Sequence, residues 1–203
     1  MKTCLIAGAG PLFGPIPSPA DGGLIIAADG GYAHLWRVGL RPDLVIGDFD
    51  SLPEKPEHPH VTELARDKDD TDMLAAVKYG LEQGCQVFHI YGGTGGRLDH
   101  TMANVQVLAY LARHGARGVL HGEGFAVTCV RNGEMTFDRS RQGTISVFAH
   151  SDTAQGVCLE GLKYELRDAT LTNGCPLGVS NEFAGTDSRV SVRDGTLIVM
   201  WAE

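Results

Sequence analysis

Apolar residues in the first 120 positions fall into short runs separated by stretches of helical spacing. Residues 2–9, 24–28, 44–47, 60–65 and 86–91 are compact and rich in branched side chains, which predicts short buried strands. Between them, Asp29-Gly30-Gly31 opens a short helix through Trp36 that closes near Gly39. A second stretch carries Leu74, Val77 and Leu81 on one face, and a third carries Met102, Val105 and Ala109 before closing near Gly115. Trp36 reads as a core residue. This alternation predicts a parallel sheet with crossover helices.

Beyond Phe125 the pattern changes to short β-type runs over residues 126–130, 135–137, 144–148, 156–159, 189–192 and 196–200. Turn signals stand between them at Asn132-Gly133, Asn173-Gly174 and Asp194-Gly195. Residues 190–199 read as a strand, an Asp-Gly turn and a returning strand. Short strands at this spacing predict a small sandwich or barrel. The expected fold class is therefore α/β, a parallel-sheet Rossmann-like N-terminal domain over residues 1–122, followed by an all-β sandwich domain over 123–203.

The ends of these runs carry the chemistry. The strand 44–47 stops at Gly47, and Asp48 and Asp50 follow with the same parity, so both can face one side of an extended chain. The end of a parallel strand is the usual place for a ligand. Two carboxylates there suit Mg²⁺ held partly by substrate phosphates, while a plain surface turn is the alternative, since Asp, Gly and Ser are ordinary turn residues. Asp67, Asp69, Asp70 and Asp72 precede the second helix, where Asp70 or Thr71 is a natural N-cap. Capping accounts for one or two of these acids, not four in six residues.

Residues 92–96 contain four glycines, and Arg97 and Asp99 follow at a helix start. Such a loop lets backbone N–H groups approach a ligand, and an arginine fork suits phosphate. The P-loop pattern is absent. Residues 8–14 superficially resemble a dinucleotide fingerprint, but the glycine spacing is wrong and Pro11 intervenes, so that reading fails.

Composition narrows the field. The formal net charge of −8 disfavours nucleic acid as a partner. Nine of the acids fall between Asp48 and Asp72 against three bases, which concentrates negative charge where a metal would need it. No apolar stretch approaches the length of a membrane span or a signal-peptide core, so no membrane partner is expected. The cysteines are odd in number, five, and scattered without a C-x-x-C pair, which points to buried reduced thiols and a cytoplasmic setting.

Five motifs stand in order: Asp29-Gly30-Gly31, Gly47-Asp48-Phe49-Asp50-Ser51, Asp67-x-Asp69-x-Thr71-Asp72, Gly95-Gly96-Arg97-Leu98-Asp99-His100, and Gly161-Leu162-Lys163-Tyr164 with Gly178-Val179-Ser180-Asn181-Glu182-Phe183. Together they resemble thiamin pyrophosphokinase of the bacterial type over essentially the whole chain. The resemblance implies diphosphoryl transfer from ATP to the hydroxyethyl group of thiamin, Mg²⁺ as cofactor, and a homodimer with the active site at the subunit interface. It implies Asp48, Asp50 and Asp72 as metal and catalytic carboxylates, and Arg97 and Asp99 in the phosphate region. Asp29, Gly30, Asp69, Thr71, Gly95 and Gly96 join Arg97 as nucleotide contacts, and Ser180 and Asn181 hold the pyrimidine. Two other classes remain: a haloacid-dehalogenase-like phosphohydrolase using Asp48 and Asp50 as its D-x-D pair, and a non-catalytic thiamin- or nucleotide-binding module.

Overall fold

The computed structural model describes residues 1–19, 22–49, 57–65 and 69–203, and the chain divides into two compact units, Met1–Glu123 and Gly124–Glu203. Twelve strands and three helices form among the described residues. None of these helices is long and apolar enough to cross a membrane.

The first unit contains β1 (Thr3–Ala7), β2 (Leu24–Ala28), α1 (Gly31–Arg37), β3 (Leu44–Gly47), β4 (Val61–Glu63), α2 (Asp72–Glu82), β5 (Val87–Tyr91), α3 (Leu98–Arg113) and β6 (Arg117–His121). Every pairing within it is parallel, in the order β6-β5-β1-β2-β3-β4. The chain thus works outward from β1 to β4, then crosses back to place β5 on the other side of β1. Strand order reverses between β1 and β5, the position where open parallel sheets offer a crevice to ligands. Residues 4–7 of β1 are all buried, as expected of a central parallel strand covered on both faces.

Helix faces differ from those the periodicity predicts. The buried residues of α2 are Met73, Ala76, Val77 and Gly80, not the Leu74–Val77–Leu81 line. A Cβ at Gly80 would lie 2.6 Å from the Phe88 ring, so the missing side chain sets which face meets the sheet. In the same way Leu108 and Leu111 of α3 occupy the space above Gly118, which turns Met102 outward to 59 % exposure. The seven residues of α1 bury Gly31 and Leu35. Trp36, rotated about 100° from Leu35, is 62 % exposed and is not the core residue its size suggests.

The second unit contains β7 (Phe125–Phe137), β8 (Thr144–Ala149), β9 (Thr153–Glu160), β10 (Leu166–Thr172), β11 (Gly178–Glu182) and β12 (Ser188–Ala202), paired antiparallel throughout. One side of β12 runs along β7, whereas its other side pairs with β9 near Val190 and with β8 near Val199. The expected sandwich is thus, in its hydrogen bonding, one branched network and not two separate sheets. The expected hairpin over residues 190–199 is also corrected, because β12 continues through it. Asn132-Gly133 and Asp194-Gly195 face one another where the register shifts between Val192 and Thr196, and Gly195 N donates to Asn132 Oδ1 at 2.8 Å. Residues that tolerate positive φ serve bulges as readily as turns, and Asn132 lies at φ 44°.

All five cysteines are free. Cys4, Cys85 and Cys129 are buried as expected, but Cys158 is half-buried and Cys175 exposed.

Candidate functional site

A cleft of about 650 Å³ opens in the first unit at the carboxyl ends of β1, β2, β3 and β5. Its floor is made by two loops joined backbone to backbone. Gly8 N donates to Tyr91 O at 2.8 Å and Gly10 N to Gly92 O at 2.9 Å, extending the β1–β5 pairing past the strand ends. A Cβ on Gly92 would lie 2.5 Å from Gly8 O, so only glycine permits this approach. Asn104, buried in α3, donates from Nδ2 to Gly93 O at 2.7 Å and fixes the glycine loop to the helix behind it.

One wall is acidic. Asp29 follows β2 at φ 50°, its N donating to Ile46 O of β3 at 2.9 Å. Asp48 follows β3, and its neighbour Phe49 is buried against Leu35, Val45 and Tyr91 although its φ is 58°. A bulky residue rarely holds that backbone conformation; here the apolar anchor holds the turn that carries Asp48. Thr71 caps α2, its Oγ1 accepting from Leu74 N at 3.2 Å, so capping falls to Thr71 and not Asp70. Asp70 and Asp72 flank Thr71 on the cleft, and Asp70 is paired with Lys78 at 2.5 Å, which raises the Lys78 ammonium pKa. Asp50, Ser51 and Asp67 lie outside the described residues.

A second part of the lining is donor-rich. Gly95, Gly96 and Arg97 reach the cleft just before α3, with His100 one turn further on. Asp99 does not line it: Arg97 grips its carboxylate through Nε at 3.2 Å and Nη2 at 2.6 Å, which holds Asp99 below the usual carboxylate range. Asp99 thus orients Arg97 and does not face the cleft itself. Asp69 and Gly30 are also absent from the lining; Gly30 is the N-cap of α1.

The carboxylate wall offers hard oxygen donors. Among the described residues no three acids, histidines or cysteines gather into a preformed metal cage. Carboxylate oxygens are the donor type that Mg²⁺ takes, commonly with substrate phosphates completing its shell. The D-x-D phosphohydrolase pattern ends the first strand of its domain, whereas Asp48 follows β3.

In the second unit Ser180 is exposed at φ 59°, its N donating to Ser146 Oγ at 3.1 Å. Asn181 is 3 % exposed. Its Oδ1 accepts from Tyr164 N at 3.0 Å and Glu182 N at 2.9 Å, and its Nδ2 donates to Tyr164 O at 2.7 Å. Within the chain, the Asn181 amide thus acts as an internal clamp on the Tyr164 backbone.

Two profiles of one family match the chain: the thiamin pyrophosphokinase catalytic domain over residues 20–120, and its vitamin B1 binding domain over 134–197. The chain belongs to the thiamin pyrophosphokinase family. Thiamine pyrophosphokinase of Bacillus subtilis (strain 168) is 29 % identical, with 98 % of each chain covered. A crystal structure of the Bacillus subtilis protein superposes with a TM-score of 0.88 at 28 % identity over 99 % of both chains. That of the Geobacillus thermodenitrificans thiamin pyrophosphokinase gives 0.84 at 29 % identity, covering 99 % of this chain and 97 % of the other.

Within this thiamin pyrophosphokinase chain, the sequence motifs meet in one cleft at Asp29, Asp48, Thr71, Asp72, Gly95, Gly96 and Arg97. Sequence reasoning missed Asn104, took Asp70 only as part of the acidic cluster and a candidate N-cap, and set residues 8–11 aside with the failed dinucleotide fingerprint. Asn104 left a usable trace, a polar residue in line with Val107, Leu108 and Leu111 on the buried side of α3. The glycines of residues 8–11 were visible, but their pairing with the loop after β5 was not, because it depends on the approach of β5.

Proposed function

We propose that the chain transfers a diphosphoryl group from ATP to thiamin, with ATP phosphates in the cleft between the acidic wall and the glycine–arginine wall. The oxygen of the thiamin hydroxyethyl group forms the new bond to the β-phosphorus, the bond from that phosphorus to the oxygen bridging to the α-phosphate breaks, and AMP leaves with that oxygen. The hydroxyl proton passes to a carboxylate or to solvent. Mg²⁺, when bound, offsets phosphate charge. Asp48 and Asp72 would hold it, with Asp50 as the family resemblance implies. Gly95, Gly96 and Arg97 supply donors to the phosphates. Such transfers need positioning and charge stabilisation more than covalent help. The observation that supports this reading is that Asp48, Asp72, Gly95, Gly96 and Arg97 line one cleft at the point where strand order reverses.

The finer parts rest on the resemblance together with the local structure. The first unit is read as a Rossmann-like catalytic domain and the second as a sandwich-type thiamin-binding domain, with Ser180 offering a hydroxyl to the pyrimidine. A homodimer with the active site at the subunit interface and a cytoplasmic location complete the reading; the free cysteines agree with the latter. Incubation with ATP, Mg²⁺ and thiamin tests it. AMP and thiamin diphosphate in equal amounts are expected. Release of inorganic phosphate alone, or no turnover, would overturn it.

A further inference from the structure

The link from β1 to β2 holds no helix among its described residues, although a parallel connection commonly does. Pro11 instead lines the cleft, and residues 12–16 continue from it without regular structure. Leu12 and Ile16 pack on the core cluster around Leu5, Ala7 and Tyr91. Phe13, between them, is half-buried and faces elsewhere. A Cβ built on Gly95 would lie 3.3 Å from Phe13 Cζ and 3.3 Å from Pro11 Cγ, so both rings back onto Gly95. The strap is held at its root, where Gly10 N donates to Gly92 O at 2.9 Å and His34 Nε2 lies 3.4 Å from Ala9 O.

Gly95 and Gly96 lie at φ 77° and 72°. Consecutive residues without side chains restrict their own backbone poorly. Left alone, this loop would aim Arg97 loosely. An aromatic ring against the backbone supplies the restriction that the glycines lack, at small conformational cost because it has only two side-chain torsions. The contact that places Phe13 is with the donor wall, at Gly95.

We infer that Phe13, with Pro11 beside it, is a positioning residue that holds the Gly95–Gly96–Arg97 loop in its ligand-ready shape. Its effect on turnover rests on the reading of that loop as the ATP-phosphate site. Its effect on the loop does not.

Two measurements on Phe13→Ala test this. In the ligand-free protein, amides of residues 94–97 should exchange with deuterium about tenfold faster than in wild type, with β12 unchanged, since a local opening becomes easier. In turnover, KM for ATP should rise about threefold to tenfold, the scale of one lost aromatic packing contact, with KM for thiamin within about twofold. Phe13→Leu, keeping apolar bulk, should recover most of both effects. Leu12→Ala, which loosens the core contact instead, should lower thermal stability without the ATP-selective change. Unchanged exchange over residues 94–97 overturns the inference whatever ATP does. Faster exchange with unchanged KM for ATP in both Phe13→Ala and Arg97→Ala supports the buttress and places the failure in the phosphate-site reading.

Discussion

Asn181 satisfies both backbone polar groups of Tyr164, accepting from its N at 3.0 Å and donating to its O at 2.7 Å. A buried amide thereby binds β11 to the loop before β10. Leu162 bridges to Phe183 beside it, and Lys163 pairs with Glu182 at 2.8 Å. The clamp leaves the Tyr164 side chain 59 % exposed, presented and not packed away.

The first prediction follows. Asn181→Ala removes partners from buried backbone groups, which costs about 1–3 kcal/mol of stability. Chemical denaturation should show that loss with no ligand present. A side chain whose task was only to bind thiamin would leave the unliganded stability unchanged, so an unaltered midpoint refutes the clamp. Ser180→Ala, by contrast, should leave stability alone and raise KM for thiamin.

The second prediction concerns Arg97 and Asp99. Both are exposed, so their ion pair contributes little to stability. Its consequence is aim: Asp99→Asn should raise KM for ATP while the melting temperature stays put. The pKa of Asp99 in the folded protein is depressed by the Arg97 hydrogen bonds, so the pair persists above the ordinary aspartate range and is lost only as pH falls below it. The ratio of mutant to wild-type KM for ATP should therefore be constant from about pH 8 down to about pH 5, since an unperturbed aspartate titrates near 3.9. A ratio of one throughout would separate Asp99 from Arg97 function.

How much of this was legible beforehand depends on the length scale of the cause. The strands of the first unit and the motif residues at their ends were readable, because apolar runs and the residues that stop them are local signals. Helix faces were not, because Gly80 and Gly118 act through Phe88, Leu108 and Leu111 on other elements. The Asn132-Gly133 and Asp194-Gly195 pairs were misread as turns for the same reason: positive φ is a local property, but whether it ends a strand or bulges one depends on the partner strand. The clamp made by Asn181 was not legible, because polarity in a short small-residue segment does not reveal burial.

The third prediction is chemical. At pH 8 a thiol reagent should modify Cys175 first and Cys158 more slowly, leaving Cys4, Cys85 and Cys129 protected until the chain unfolds. Burial pushes the Cys129 thiol from 9.0 up to about 12. A raised folded-state value means stability is intact below pH 9 and is lost progressively as pH climbs toward 12. Denaturation midpoints at pH 8 and pH 10.5 should show the decline, and rapid labelling of all five thiols in the native protein would contradict this burial pattern.

The last prediction concerns the acidic wall. Asp48 and Asp72 come from different elements, the turn after β3 and the first residue of α2, yet line one cleft. Each has an alternative explanation, since Asp48 occupies a turn and Asp72 complements the dipole of α2. Removing one charge distinguishes the explanations. Asp72→Asn loses a favourable helix-dipole contact of about 0.3–1 kcal/mol, a small stability change. If the carboxylate also holds a divalent cation on the transferring phosphates, kcat should fall more than about 100-fold, or about 3 kcal/mol of transition-state stabilisation. Asp48→Asn should show the same loss in turnover with the Phe49 anchor intact and the melting temperature nearly unchanged. Both variants should also lose the Mg²⁺-dependent part of ATP binding in titrations without thiamin, a readout independent of turnover. If turnover and Mg²⁺-dependent ATP binding both survive in Asp48→Asn and Asp72→Asn, the two carboxylates are structural and the acidic wall is not the metal side of the site.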